Sequence, residues 1–148
     1  MVPLFVLMLS FAVLRCAGLL GVTALNSVEL PLRIALFLMF LVTALAHWGR
    51  GRPDLIRMVP PVFPQAGVLV SATGVLEILG AVGLLVPATI RPAAVCLAIL
   101  LIALFPANIR AAREHLTILG RPAPGLLLRG VIQVIFISAL IVVIRNSR

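Results

Sequence analysis

The chain contains no lysine and no tyrosine, one tryptophan, two cysteines and only four acidic residues. Each scarcity removes a class of protein. With 11% charged residues spread over 148 positions, there is too little polar surface to coat a water-soluble particle. Cys16 and Cys96 sit in separate apolar runs and form no C-x-x-C pair, which excludes a disulfide framework and a dithiol redox motif; both read as small buried hydrophobes. The formal charge of +8 invites a nucleic-acid reading, but the missing aromatic series and the absence of any nucleic-acid fold signature argue against it. His47 and His115 have no H-x-x-x-H, C-x-x-C-H or acidic partner spacing around them, so no metal or haem site is expected. No Ser-His-Asp set, phosphate loop or carboxylate pair occurs either.

What the chain has in abundance is apolar sequence, 63% of all residues, in runs long enough to cross the roughly 30 Å hydrocarbon layer as helices. These runs lack the period-two alternation of a membrane strand and are twice the length one needs. The fold class is therefore all-α, a polytopic transmembrane helix bundle forming a single membrane domain over residues 1–148. Five helices are expected: 3–25, interrupted only by Arg15; 31–47, with Pro31 at its first position; 66–86; one beginning after Arg91-Pro92 and running to 109; and 125–144. The first is read as a retained helix, because it has no basic residue before Arg15 and no clear small-x-small cleavage site.

All twelve basic residues are arginine, gathered at the helix ends, a distribution suited to lipid phosphates and snorkelling side chains. The two longer loops carry Arg50, Arg52, Arg57, Arg110, Arg113 and Arg121, with Arg129 just beyond; the opposite face carries Arg33, Arg91, Arg145 and Arg148. The excess of positive charge places the long loops and the N-terminus in the cytoplasm and the C-terminus outside; the expected location of this multi-pass bundle is the cell inner (plasma) membrane. In the first long loop, Asp54 is expected to N-cap a short helical turn ending at Met58 before Pro60-Pro61. That segment is either a lid over the bundle mouth or a simple membrane-surface turn.

Glu77 is the only ionisable residue of the third long run, and its helical neighbours are Thr73, Gly74, Gly80 and Ala81. Small residues let another helix approach closely in lipid, so Glu77 faces protein. Two readings stand side by side. In one, Glu77 is a packing group bonded across the bundle to Asn108, Gln133 or Arg15; in the other it is a ligand or proton site, since an intramembrane carboxyl is expensive to keep. Pro106 withholds an amide donor and opens backbone near Ile102, which the Asn108 amide could bond, or Asn108 could line a pocket on the long-loop face together with His47.

The segments Leu32-Arg33-Ile34-Ala35-Leu36, Ala46-His47, Met58-Val59-Pro60-Pro61, Gly74-Val75-Leu76-Glu77-Ile78-Leu79-Gly80 and Phe105-Pro106-Ala107-Asn108 together resemble the DoxX family of small bacterial membrane proteins. The resemblance covers residues 31–145 and implies a four-helix unit, preceded by an extra hydrophobic helix over 3–25. It further implies an accessory subunit of a quinone-linked membrane redox system with a soluble or membrane redox partner; the chain shows no cofactor motif of its own, and quinone is the group such a subunit could accept. The alternative is a non-catalytic bundle that binds or moves a lipid or small apolar molecule, or escorts a membrane partner. Small-residue helix faces also permit a homo-oligomer.

Overall fold

The computed structural model describes residues 2–147; Arg148, counted above on the opposite face, lies outside them. Six helices follow one another: α1 (Val2–Leu19), α2 (Glu29–Leu45), α3 (Arg52–Met58), α4 (Ala66–Gly83), α5 (Ile90–Arg113) and α6 (Leu126–Asn146). Short 3-10 turns at Thr23–Leu25 and Pro87–Thr89 link α1 to α2 and α4 to α5. Two-residue strands β1 (Thr117–Ile118) and β2 (Arg121–Pro122) pair antiparallel between α5 and α6. The protein is a multi-pass, all-α membrane bundle.

Four segments are long and apolar enough to cross a bilayer: Val2–Leu19, Ala66–Gly83, Pro87–Arg113 and Leu126–Asn146. The remaining long helix, α2, has 17 residues and rises about 26 Å at 1.5 Å per residue. It is nevertheless the centre of the fold. It packs on α1, α4 and α6, while α5 packs on α4 and α6, so α2, α4, α5 and α6 close a four-helix ring with α1 laid against α2. The buried face of α2, which includes Ala35, Leu36, Met39 and Phe40, joins Ala81 and Leu84 of the α4 end, Ala94 and Leu97 of α5, and Leu140 and Val143 of α6 in one core.

Several helix limits differ from the sequence expectation, each for a local reason. The first helix stops at Leu19, not residue 25, because Gly21 adopts a φ of +115° and turns the chain. The Arg15 guanidinium then holds the carbonyls of Leu25, Asn26 and Ser27. Pro31 stands third in α2, behind Glu29 and Leu30, where a missing amide donor still costs nothing because first-turn amides have no helical partner. Pro92 occupies the same place in α5, which therefore begins at Ile90 and runs on to Arg113. Asp54 does not cap α3; Gly51 precedes the helix and no side chain bonds its first amides.

Lipid tails are as apolar as leucine, so helices associate in a bilayer through close packing more than through the hydrophobic effect. The α4–α5 contact shows how. A Cβ built on Gly80 would lie 2.6 Å from Cγ and Cδ2 of Leu97, and one on Gly83 would lie 2.7 Å from the Ala93 Cβ. Gly130 on α6, by contrast, has nothing within 4 Å of that position. Gly80→Ala is accordingly expected to destabilise the bundle by about 1–3 kcal/mol through overpacking. Gly130→Ala should be neutral or stabilise by up to about 1 kcal/mol, from helix propensity alone. Thermal unfolding of both variants in one detergent measures the difference, and equal midpoints would contradict the packing account.

Candidate functional site

Three of the four acidic residues pair with an arginine on their own helix or just beyond it: Glu29 with Arg33, Asp54 with Arg57 and Glu114 with Arg110. Glu77 is different. It is only 4% exposed, on the α4 face formed by Val70, Gly74, Gly80 and Ala81, and among the described residues it has no cationic partner. Its hydrogen-bond partner is the hydroxyl of Thr43 in α2, 2.7 Å from Oε2.

The same hydroxyl lies 2.8 Å from the Phe40 carbonyl one turn back, and it carries a single proton. If Thr43 donates to Phe40, the carboxyl of Glu77 must be the donor to Thr43. If Thr43 donates to Glu77, Oε2 is the acceptor, either of a carboxylate or of an acid whose proton is on Oε1. The pair is thus compatible with either protonation state without moving a heavy atom. The second oxygen, Oε1, has no hydrogen-bond partner among the described residues, yet no side-chain oxygen or nitrogen there is both fully occluded and unpartnered. Oε1 is therefore not fully occluded.

Thr43 also fixes His47, whose Nδ1 lies 3.2 Å from the Thr43 carbonyl. A carbonyl only accepts, so Nδ1 is the donor and the neutral ring presents Nε2 as an acceptor. His47 is 6% exposed and its ring centroid lies 6.0 Å from that of Trp48. Gly74 makes room for both rings, since a Cβ there would fall 2.7 Å from His47 and 2.8 Å from Trp48. Arg52, the first residue of α3, holds this end in place by donating to the His47 carbonyl at 2.8 Å, the Gly67 carbonyl at 3.0 Å and the Ser71 hydroxyl at 3.0 Å.

Of the residues expected from sequence, Glu77, His47, Gly74 and Thr43's neighbour face on α4 thus come together on the α2–α4 seam. Gly80 and Ala81 continue that face toward α5, and Thr73 sits half-buried, donating its hydroxyl to the carbonyls of Leu69 and Val70. Asn108 belongs to another seam, between α5 and α6, where its Oδ1 accepts from Arg129 at 2.6 Å. None of the three partners expected for Glu77 bonds it. Asn108 is taken by Arg129, Gln133 donates to the Leu101 carbonyl at 3.1 Å, and Arg15 serves the α1–α2 turn. Pro106 is exposed on the outer surface of α5, and Gln133 reaches the backbone one residue before Ile102, where the proline leaves a carbonyl without its amide. His115 is exposed and has a φ of 48°; it occupies the left-handed position closing α5, with the Leu116 amide donating back to Ala111. Thr43 and Arg52 are the site residues that the sequence reading missed; a threonine 34 positions from Glu77 carries no local spacing signal.

Over this seam α3 is tied to the β1–β2 hairpin. The Leu119 amide donates to Asp54 Oδ2 at 2.8 Å, and Arg57 bonds both Asp54 and the Thr117 carbonyl at 3.1 Å. The Leu119 amide, aided by Arg57, holds the Asp54 carboxyl below the ordinary aspartate range. A depressed folded value means the clamp is fully present above the unfolded aspartate value of about 3.9 and is lost as pH falls through the lower folded value. The protection factor of the Leu119 amide, taken against the intrinsic exchange rate at each pH, should therefore stay high at neutral pH and drop only below about pH 4. Asp54→Ala should leave the Leu119 amide without protection at every pH; protection that survives this substitution would contradict the clamp.

Neither the curated proteins nor the solved structures contain a match to this chain. Residues 35–144 match the family described as Domain of unknown function (DUF8561), over a stretch that starts within α2, ends within α6 and includes Thr43, His47, Glu77 and Asn108. With the greater part of its length in that match, the chain belongs to the DUF8561 family.

Proposed function

We propose that this protein is an accessory subunit of a quinone-linked redox system in the inner (plasma) membrane, with its long loops toward the cytoplasm, and that Glu77 meets the quinone head group or its protons. The observation that carries the reading is the half-satisfied carboxyl: Oε2 is held by Thr43, while Oε1 is unpartnered and not sealed. A carboxyl so placed can donate to a quinone carbonyl when neutral and accept a proton when ionised. The DoxX-like segments around Glu77 and Asn108 support the redox context, and a soluble or membrane partner would supply the electrons. In this arrangement His47 and Trp48 border the approach to Glu77 from the long-loop side.

A second reading, a non-catalytic lipid or apolar-molecule binder, is favoured by one observation. Leu126, Leu127, Gly130, Val131, Val134 and Ile135 line an open apolar groove on the outer side of α6, away from Glu77.

Trp48 is the one tryptophan of the chain and touches the Gly74 position one turn before Glu77, so its fluorescence separates the readings. A short-chain ubiquinone analogue should quench it saturably. Glu77→Leu should weaken that binding about tenfold, the worth of one buried hydrogen bond. Glu77→Gln, which keeps a donor but does not titrate, should retain binding and lose quinone-dependent turnover with the redox partner. Unsaturable quenching with retained phospholipid would favour the second reading, and full turnover in Glu77→Gln would remove proton transfer from the first.

A further inference from the structure

The long-loop face carries a feature that the site does not use. Arg50, Arg113 and Arg121 are exposed there, and among the described residues none of them bonds a carboxylate or a carbonyl. Their neighbours Arg52, Arg57 and Arg110 are all engaged with backbone or acid groups, so the three are surplus positive charge with no internal task. Beside them stand apolar side chains turned outward: Val62 at 78% exposure, Phe63 at 50% and Leu119 at 62%.

The parts are held as one plate. Asp54 and Arg57 fasten α3 to the hairpin, and Arg110 donates to the Val59 carbonyl, fastening the loop after α3 to α5. At the hairpin tip both Leu119 and Gly120 have positive φ, 51° and 75°, the combination of a two-residue type I′ turn. Asparagine or glycine is the usual choice there, and leucine in the left-handed region is uncommon. The Asp54 bond to the Leu119 amide holds that conformation and leaves the leucyl side chain projecting.

We propose that this plate is a binding surface for the head groups of anionic phospholipids. Arg50, Arg113 and Arg121 bond the phosphates, and Val62, Phe63 and Leu119 enter the apolar edge of the same leaflet. Charge complementarity selects the occupant: unpaired guanidiniums at the end of a membrane bundle face the head-group layer, and apolar side chains interleaved with them suit a lipid interface better than an acidic soluble protein. The surface is separate from Glu77 and does not depend on the quinone reading.

The test uses the full chain in nanodiscs or micelles of mixed phosphatidylglycerol and phosphatidylcholine, with retained lipid counted by native mass spectrometry. The wild type should retain phosphatidylglycerol preferentially, and each of Arg113→Gln and Arg121→Gln should lower that preference about fivefold. Neither substitution removes an internal hydrogen bond, and an unchanged circular dichroism spectrum and thermal midpoint in neutral lipid verify the fold. Leu119→Asn, which suits the turn, should keep the hairpin and reduce lipid retention through the lost apolar contact. Equal retention of both lipids by the wild type, or an undiminished preference in the Arg113→Gln/Arg121→Gln double variant, would overturn the proposal. Salt-sensitive binding of an acidic peptide without lipid preference would overturn it as well, and would assign the face to a protein.

Discussion

The arginine–carbonyl hydrogen bond is the interaction on which this fold depends. In a bilayer, backbone groups freed at a chain reversal find no water and must be satisfied by protein. At nearly every reversal an arginine from elsewhere does this. Arg15 holds the α1–α2 turn, and Arg33 donates to the carbonyls of Leu84 and Leu85 at the end of α4. Arg52 joins the end of α2 to the start of α4, Arg110 takes the loop after α3, and Arg129 takes the Pro124 carbonyl before α6. A guanidinium has five donors in a planar fork and can bridge two or three carbonyls, whereas an ammonium is a point charge that keeps its water. That difference accounts physically for a chain whose cationic residues are all arginine. Six of the described arginines donate to backbone carbonyls, and three of these also pair with a carboxylate.

This division of labour isolates Glu77. Three acids are matched with arginines near the helix ends, and the arginines that reach furthest into the structure are occupied by carbonyls. Glu77 is left with a neutral partner, Thr43, in a position where a carboxylate without a cation is costly. Gly74 sharpens the isolation by bringing His47 and Trp48 against α4 with no side chain between. His47 faces a carbonyl through Nδ1, so it is oriented by the backbone and does not form a hydrogen-bonded wire with the Thr43 hydroxyl. A ligand would meet Glu77 at Oε1, the oxygen that Thr43 does not occupy.

Much of the architecture was legible from the chain because membrane helices are specified by continuous local signals. Apolar run lengths located the long helices, and the small residues around Glu77 correctly placed it on an inward face. The limits erred where the deciding group was distant. Gly21 and the carbonyls held by Arg15 end α1 early, and the tolerance of first-turn amides lets Pro31 and Pro92 sit inside their helices. The site was half legible for the same reason. A lone carboxyl in an apolar run announces itself, but its partner is fixed by the α2–α4 register, and no spacing rule links positions 43 and 77. Asn108 shows the converse: its polarity was visible, but Arg129, 21 residues away, decides what it bonds.

The two polar seams differ in kind, and that difference bears on where chemistry can occur. On the α5–α6 seam each polar side chain has a neutral or cationic role and a partner: Asn108 Oδ1 accepts from Arg129, Arg129 also donates to the Pro124 carbonyl, and Gln133 Nε2 donates to the Leu101 carbonyl beside the proline break. These bonds fix the register of the two helices. On the α2–α4 seam the set is closed at the Arg52 end and open at Glu77. A membrane bundle gains nothing in stability from a carboxyl without a cation on a face only 4% exposed, since an apolar side chain would pack there at lower cost. The one acid that no arginine answers among the described residues is therefore the strongest structural reason to seek function at Glu77.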